Sequence, residues 1–133
     1  MAIRFREITP EDYEGLRQFL SEQGWADRVQ DDNRFQTMLD GTDLTVLALD
    51  GDTIVGFARA LCDDASNGYI SMVAVAPDRR RQGIGRELVT RLMSGDTDER
   101  ITWVLRARPD STGFWTRLGF SPSSIAMERV RTQ

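Results

Sequence analysis

Apolar residues recur along the chain in two rhythms, one suited to strands and one to helices. Runs rich in apolar and β-branched residues at 3–8, 44–49, 53–62, 69–75, 101–106 and 125–130 predict six strands. Between them, Tyr13, Leu16, Phe19 and Leu20 fall on one side of a helix, and Phe35, Met38 and Leu39 on one side of another. Ile84, Leu88 and Leu92, with Val89 and Met93 beside them, form a third stripe, and Phe114 with Leu118 a fourth over 111–118. Turn chemistry agrees. Thr9-Pro10-Glu11-Asp12 offers a cap, a proline for the first turn and early carboxylates, so a helix starts there. Gly41 stops the second helix. Asp50-Gly51-Asp52 predicts a tight antiparallel hairpin, and Ala76-Pro77 ends the fourth strand. The order is βααβββαβαβ, with no repeat or linker, which predicts one mixed α/β domain over 1–133.

Composition narrows the function classes. A chain of 133 residues can remove about two-thirds of its unfolded surface from water, enough for one core. No apolar run approaches the ~20 residues that cross a bilayer, so no membrane partner is expected. Met1-Ala2-Ile3-Arg4-Phe5-Arg6 lacks the charged-then-apolar order of a secretory signal, and Cys62 is the single cysteine, so a cytoplasmic setting is expected. The net charge of −4 argues against a nucleic-acid partner and favours a cationic partner, small molecule or protein. Histidine is absent and all 17 basic residues are arginine. That removes histidine-activated nucleophiles, lysine Schiff bases and the commonest zinc ligand, so no metal is expected.

The informative stretch is 69–86, a strand, a basic loop and a glycine-opened helix. The first turn of a helix leaves N–H groups unpaired at the positive end of its dipole, where an anion is held without any side chain. Arg79, Arg80, Arg81 and Arg86 place four positive charges around that spot in an otherwise acidic chain, which points to a polyphosphate. A solvated surface run is the bland reading of the same charges. A P-loop needs a lysine that this chain lacks, and the dinucleotide fingerprint needs a glycine where Leu88 stands.

Arg80-Arg81-Gln82-Gly83-Ile84-Gly85, after a strand ending Val73-Ala74-Val75-Ala76-Pro77, resembles the pyrophosphate-binding pattern of the GCN5-related N-acetyltransferase (GNAT) family. A second segment, Gly113-Phe114-Trp115-Thr116-Arg117-Leu118-Gly119-Phe120, is similar to that family's helix-to-strand element with its closing Leu-Gly-Phe. With the two N-terminal helices, the resemblance spans nearly the whole chain.

The resemblance implies a twisted, mostly antiparallel mixed sheet flanked by about four helices, whose fourth strand, Tyr69 to Val75, carries a bulge and splays from the fifth. It implies acetyl-CoA as co-substrate and transfer of acetyl to an amine in a ternary complex. Val73 and Val75 would pair with the pantetheine arm as an added strand, and the Val73 N–H would be the oxyanion donor. Arg80, Arg81, Gln82, Gly83, Ile84, Gly85 and Arg86 would hold the pyrophosphate, with Phe114 and Trp115 nearby. Trp25, Asp27 and Arg28, between the first helices, together with Arg59 and Tyr69, are candidates for the acceptor side.

Two positions depart from the family pattern. Its usual tyrosine acid falls at Trp115, whose indole N–H cannot protonate a thiolate; water, Tyr69 or Ser111 are the substitutes. Its frequent asparagine falls at Arg108. Trp115 reads equally well as plain core. Asp63 and Asp64 lie after the third strand, as candidate bases or as a solvated loop. Arg59, a charge within a strand, predicts an ion pair. The short tail after Phe120 suggests an open acceptor side or completion by a second subunit, a homodimer. A CoA-binding sensor without catalysis is the competing function.

Overall fold

The computed structural model describes residues 2–132. Its sheet runs in the order β1 (Arg4–Arg6), β2 (Leu44–Asp50), β3 (Thr53–Cys62), β4 (Asn67–Val75) and β5 (Thr102–Leu105). The first three pairings are antiparallel, and β4 pairs parallel with β5. Parallel neighbours need a crossover, which is α4 (Ile84–Leu92). Asp50 pairs with Thr53 across a two-residue loop whose Gly51 has φ +60°, the tight hairpin that Asp50-Gly51-Asp52 predicts.

Helices cover both faces. α1 (Tyr13–Leu20), the short α2 (Ala26–Val29) and α3 (Asp32–Asp40) pack on one side, α4 and α5 (Thr112–Arg117) on the other. The period-two rule sorts β2 cleanly, with Leu47 and Leu49 against α1 and α3, and Val46 and Ala48 against α4. Leu16, Phe19 and Leu20 are the buried stripe of α1, and Ile84, Leu88, Val89 and Leu92 that of α4, as their spacing predicts. The start of α1 is fixed as its sequence suggests: the Thr9 N–H donates to Asp12 Oδ2 at 2.8 Å. Arg6 clamps the same carboxylate with two hydrogen bonds of 2.8 and 2.9 Å. Between α1 and α2 the backbone breaks at Gln23 and Gly24, the latter at φ +90°, so the second predicted helix is preceded by an extra turn.

The predicted strand at 125–130 is absent from the described residues. The segment lies beside the end of β5, tied by Arg106 to Glu128 at 2.9 Å, but forms no ladder. Ile125 and Met127 keep a strand's alternation yet are 88% and 96% exposed. Alternation without an apolar surface to cover does not hold a strand in place. Among the described residues no helix is long and apolar enough to cross a membrane.

Gly68 on β4 faces Trp103 on β5, and a Cβ built there would come within 2.4 Å of the indole ring. The ring is held by its own N–H, which donates to Asp96 Oδ2 at 3.1 Å. Gly68→Ala is therefore expected to destabilise the fold by about 1–3 kcal/mol through overpacking, read as a shifted urea midpoint, with Trp103→Leu relieving part of the loss.

Candidate functional site

The middle of β4 holds the decisive irregularity. Phe57 pairs with Ala74 and Arg59 with Ser71, so two steps along β3 face three along β4. The extra residue makes a β-bulge at Met72–Val73, and Met72 takes φ +62°. A left-handed methionine costs on the order of 1–2 kcal/mol, which the burial of its side chain among Phe57 and the α1–α3 core offsets. The bulge also flips the strand's faces, putting Ile70 and Met72, two residues apart, in opposite cores.

On its other side β4 loses its neighbour. The ladder to β5 stops at the pair Ile70 and Leu105, so among the described residues the β5-facing backbone of 71–75 has no strand partner. A cleft of about 1170 Å³ opens along this edge. It brings together Val73, Val75, Arg80, Arg81, Gly83, Ile84, Gly85, Arg86, Phe114, Trp115, Trp25, Arg28, Tyr69 and Ser111, all singled out in the sequence. Gln82 is off its wall.

At one end the loop from β4 to α4 is shaped for an anion. Arg81 and Gly83 adopt left-handed φ of +66° and +81°, and Gly83 caps the start of α4, whose first N–H groups have no partner within the helix. A Cβ on Gly83 meets nothing within 4 Å, so glycine is there for its backbone rather than for space. At Gly85 the reason is space, since a Cβ would come 3.1 Å from the Phe114 ring. Arg79 does not belong to the anion set. Its Nη1 lies 2.6 Å from Asp50 Oδ2, an ion pair outside hydrogen-bond angles, which ties the loop to the β2–β3 hairpin. Arg80, Arg81 and Arg86 make no ion pair among the described residues.

Trp115 is both core and wall. It is 9% exposed, stacked edge-on between Phe114 at 4.9 Å and Phe120 at 5.4 Å, with one side on the cleft. Arg59 departs from the ion-pair expectation. It is 6% exposed, and no carboxylate lies within 4 Å among the described residues. Instead its Nε donates to Thr42 Oγ1 at 3.0 Å and its Nη1 to Ser71 Oγ at 3.2 Å. Burial, then the nearby Arg28, lowers its pKa from the ordinary arginine value.

The candidate bases leave the site. Asp63 Oδ1 accepts the N–H groups of Ala65, Ser66 and Asn67 at 2.9, 2.7 and 3.0 Å, closing the β3–β4 turn. Those bonds hold its carboxyl far below the usual range, so it is a poor proton acceptor. Asp64 lines a separate groove with Cys62 and Trp103. Burial raises the Cys62 thiol, which accepts the Asp64 N–H at 3.3 Å and is unsuited to attack. Sequence reasoning missed Gln23, Met72 and Arg106 on the cleft wall. The bulge in this strand is the one the family resemblance implies, but no residue signature places it at Met72.

The Acetyltransferase (GNAT) family profile matches residues 3–120. The chain belongs to the GNAT acetyltransferase family. It is 31% identical over 93 residues, 68% of its length, to a mycothiol acetyltransferase of Geodermatophilus obscurus. The chain spans between 30% and 39% of the lengths of that relative and of an uncharacterized N-acetyltransferase of Pyropia yezoensis, to which it is 35% identical over 68 residues, half of this chain. Among solved structures it is similar to a putative GNAT acetyltransferase from Xanthomonas campestris pv. campestris, at 25% identity and TM-score 0.78, covering 98% of this chain and 94% of that one. AAC(6')-Iy, solved with a CoA-linked bisubstrate analogue, shares the fold at 17% identity and TM-score 0.76, covering 98% of this chain and 99% of that one. The alternation of sheet, splay and glycine-headed α4 is thus the GNAT fold, which the family uses with acetyl-CoA.

Asp63 gives a prediction with a definite sign. Its folded pKa is depressed, so its stabilisation is complete above the unfolded value of about 3.9 and is lost as pH falls from there toward the folded value. Asp63→Asn is expected to lower the melting temperature at pH 6, with the gap to the parent closing as both are melted at successively lower pH below 4.

Proposed function

We propose that this domain transfers the acetyl group of acetyl-CoA to a primary amine by direct attack, both substrates sharing the cleft along β4. One observation supports this above the others: the strand edge left open by β5 at 71–75 lines the same cleft as the left-handed, arginine-bearing turn that starts α4. The two features suit the two halves of one ligand, an amide-bearing arm and a pyrophosphate.

The residues present fit acetyl-CoA. The backbone of Val73 and Val75 would take the pantetheine arm as a strand in β5's place. The first N–H groups of α4, with Arg80, Arg81 and Arg86, would take the pyrophosphate, and Gln82 would contribute only through its backbone. Phe114 and Trp115 form the apolar wall opposite the arm. When bound, acetyl-CoA supplies an activated thioester. The Val73 N–H, placed at the bulge, would donate to the acyl oxygen as negative charge develops, a contact worth about 2.7–4 kcal/mol where such donors have been removed.

An alkylamine with a pKa of about 10.4 is well under 1% neutral at pH 7, so the acceptor must lose a proton before attack. With Asp63 committed to its turn and Asp64 in another groove, water in the open cleft is the proton carrier in this reading. Tyr69 and Ser111, both on the wall, stand in for the tyrosine that Trp115 replaces. A thiol of pKa near 8.5 is a tolerable leaving group with modest help.

Acetyl-CoA is expected to raise the melting temperature of the purified protein, and thiol release is expected to require an added amine. Gly83→Asp keeps a residue tolerant of positive φ in open space but sets a carboxylate where the pyrophosphate would sit. It should fold and lose the shift. Stabilisation without thiol release across a broad amine panel would favour a CoA sensor, and no stabilisation of the CoA-free parent would overturn the reading.

A further inference from the structure

The cleft has a second concentration of charge that the pyrophosphate does not use. Eight arginines and two carboxylates line it. Beside the start of β4, Arg28 and Arg108 lie over the same indole, their guanidinium carbons 5.9 and 5.0 Å from the Trp25 ring centroid. Stacking fixes their orientation without neutralising them. Neither has a carboxylate within 4 Å among the described residues, and Glu128, the nearby wall acid, is already engaged by Arg106 at 2.9 Å. Beneath the wall, buried Arg59 reaches it through Ser71 and, among the described residues, is held only by two neutral hydroxyls.

We propose that the amine acceptor carries a carboxylate or phosphate, gripped by Arg28 and Arg108 on the wall and attracted by Arg59 beneath it. This rests on the acetyl-transfer reading and deepens it. A buried, unpaired positive charge is costly, and a ligand oxyanion is what offsets it. A second phosphate site for CoA does not account for the cluster, because the α4 loop has its own free arginines and lies past the bulge at the other end of β4. A polycationic acceptor would meet like charge here. Burial, then the like charges of Arg131 and Arg106, already lowers the pKa of Arg28. An ammonium held beside the same cluster is pushed toward its neutral, nucleophilic form, which supplies by field what no carboxylate supplies by contact.

The test pairs acceptors with and without the anion, amino acids against their amides and aminoalkyl or amino-sugar phosphates against the free alcohols, with polyamines as the cationic arm. Members of a pair are compared at equal concentration of neutral amine, because the anion also raises the ammonium pKa. Binding is read by thermal shift with CoA present, and turnover by thiol release. The anionic member of at least one pair should bind and react roughly 10- to 100-fold better, the two series telling carboxylate from phosphate. Arg28→Gln and Arg108→Gln, on exposed or half-exposed positions that do not endanger folding, should shrink that difference. Arg28→Gln should also raise the pKa governing kcat for the anionic acceptor, which a merely structural role would not do. Equal or better use of neutral or cationic amines, a preference untouched by both variants, or no preference in any pair overturns the proposal. If acetyl-CoA itself fails to bind, it is the function that falls instead.

Discussion

A single extra residue in β4 governs the rest of the molecule. A regular strand from Asn67 to Val75 would keep β3 on one side and offer a continuous edge to β5 on the other. A bulge of the kind at Met72 bends a strand and raises its twist, and past Ile70 the two parallel strands no longer pair. Everything that makes a cleft follows from that divergence. The open backbone edge, the aromatic wall from α5 and the arginine-bearing turn into α4 all border the space that a paired strand would have filled. The left-handed Met72 is tolerated because its side chain is anchored among Phe57 and Ala74, so packing on one face sustains an irregularity whose use is on the other.

Much of this architecture is legible in the sequence because it depends on local rules. Alternating and helical periodicities predict every element of the sheet core, the Asp50-Gly51-Asp52 turn sets the β2–β3 register, and two short motifs point to the family. What is illegible depends on distant partners. Ile125 and Met127 alternate like a strand, but a ladder needs a neighbour, which local pattern does not contain. Met72 carries no mark of its conformation, since the bulge is set by the register on both sides of it. Asp63 reads as a possible base until three N–H groups of its own turn are found on one oxygen. Arg79 reads as one more phosphate ligand until the hairpin brings Asp50 to it.

Charge shows the same contrast between sum and arrangement. The net charge of −4 favours a cationic acceptor when read as a total. The cleft inverts it, because acidic residues are spent on turns, caps and exposed pairs: Asp12 on Arg6, Asp31 on the start of α3, Asp63 on the β3–β4 turn. The arginines left over converge where the sheet opens. Global charge acts at encounter distances and is screened within about 10 Å at 0.1 M salt, whereas contact recognition is decided by the few groups inside that radius. A domain without lysine or histidine has only the arginine fork with which to place fixed positive charge, and arginine does not give up its proton. Under the proposed reading, binding an acceptor's anion and lowering its ammonium pKa oppose each other, since a bound anion offsets part of the cationic field, and only the arginines in excess of that anion would lower the pKa of a neighbouring ammonium.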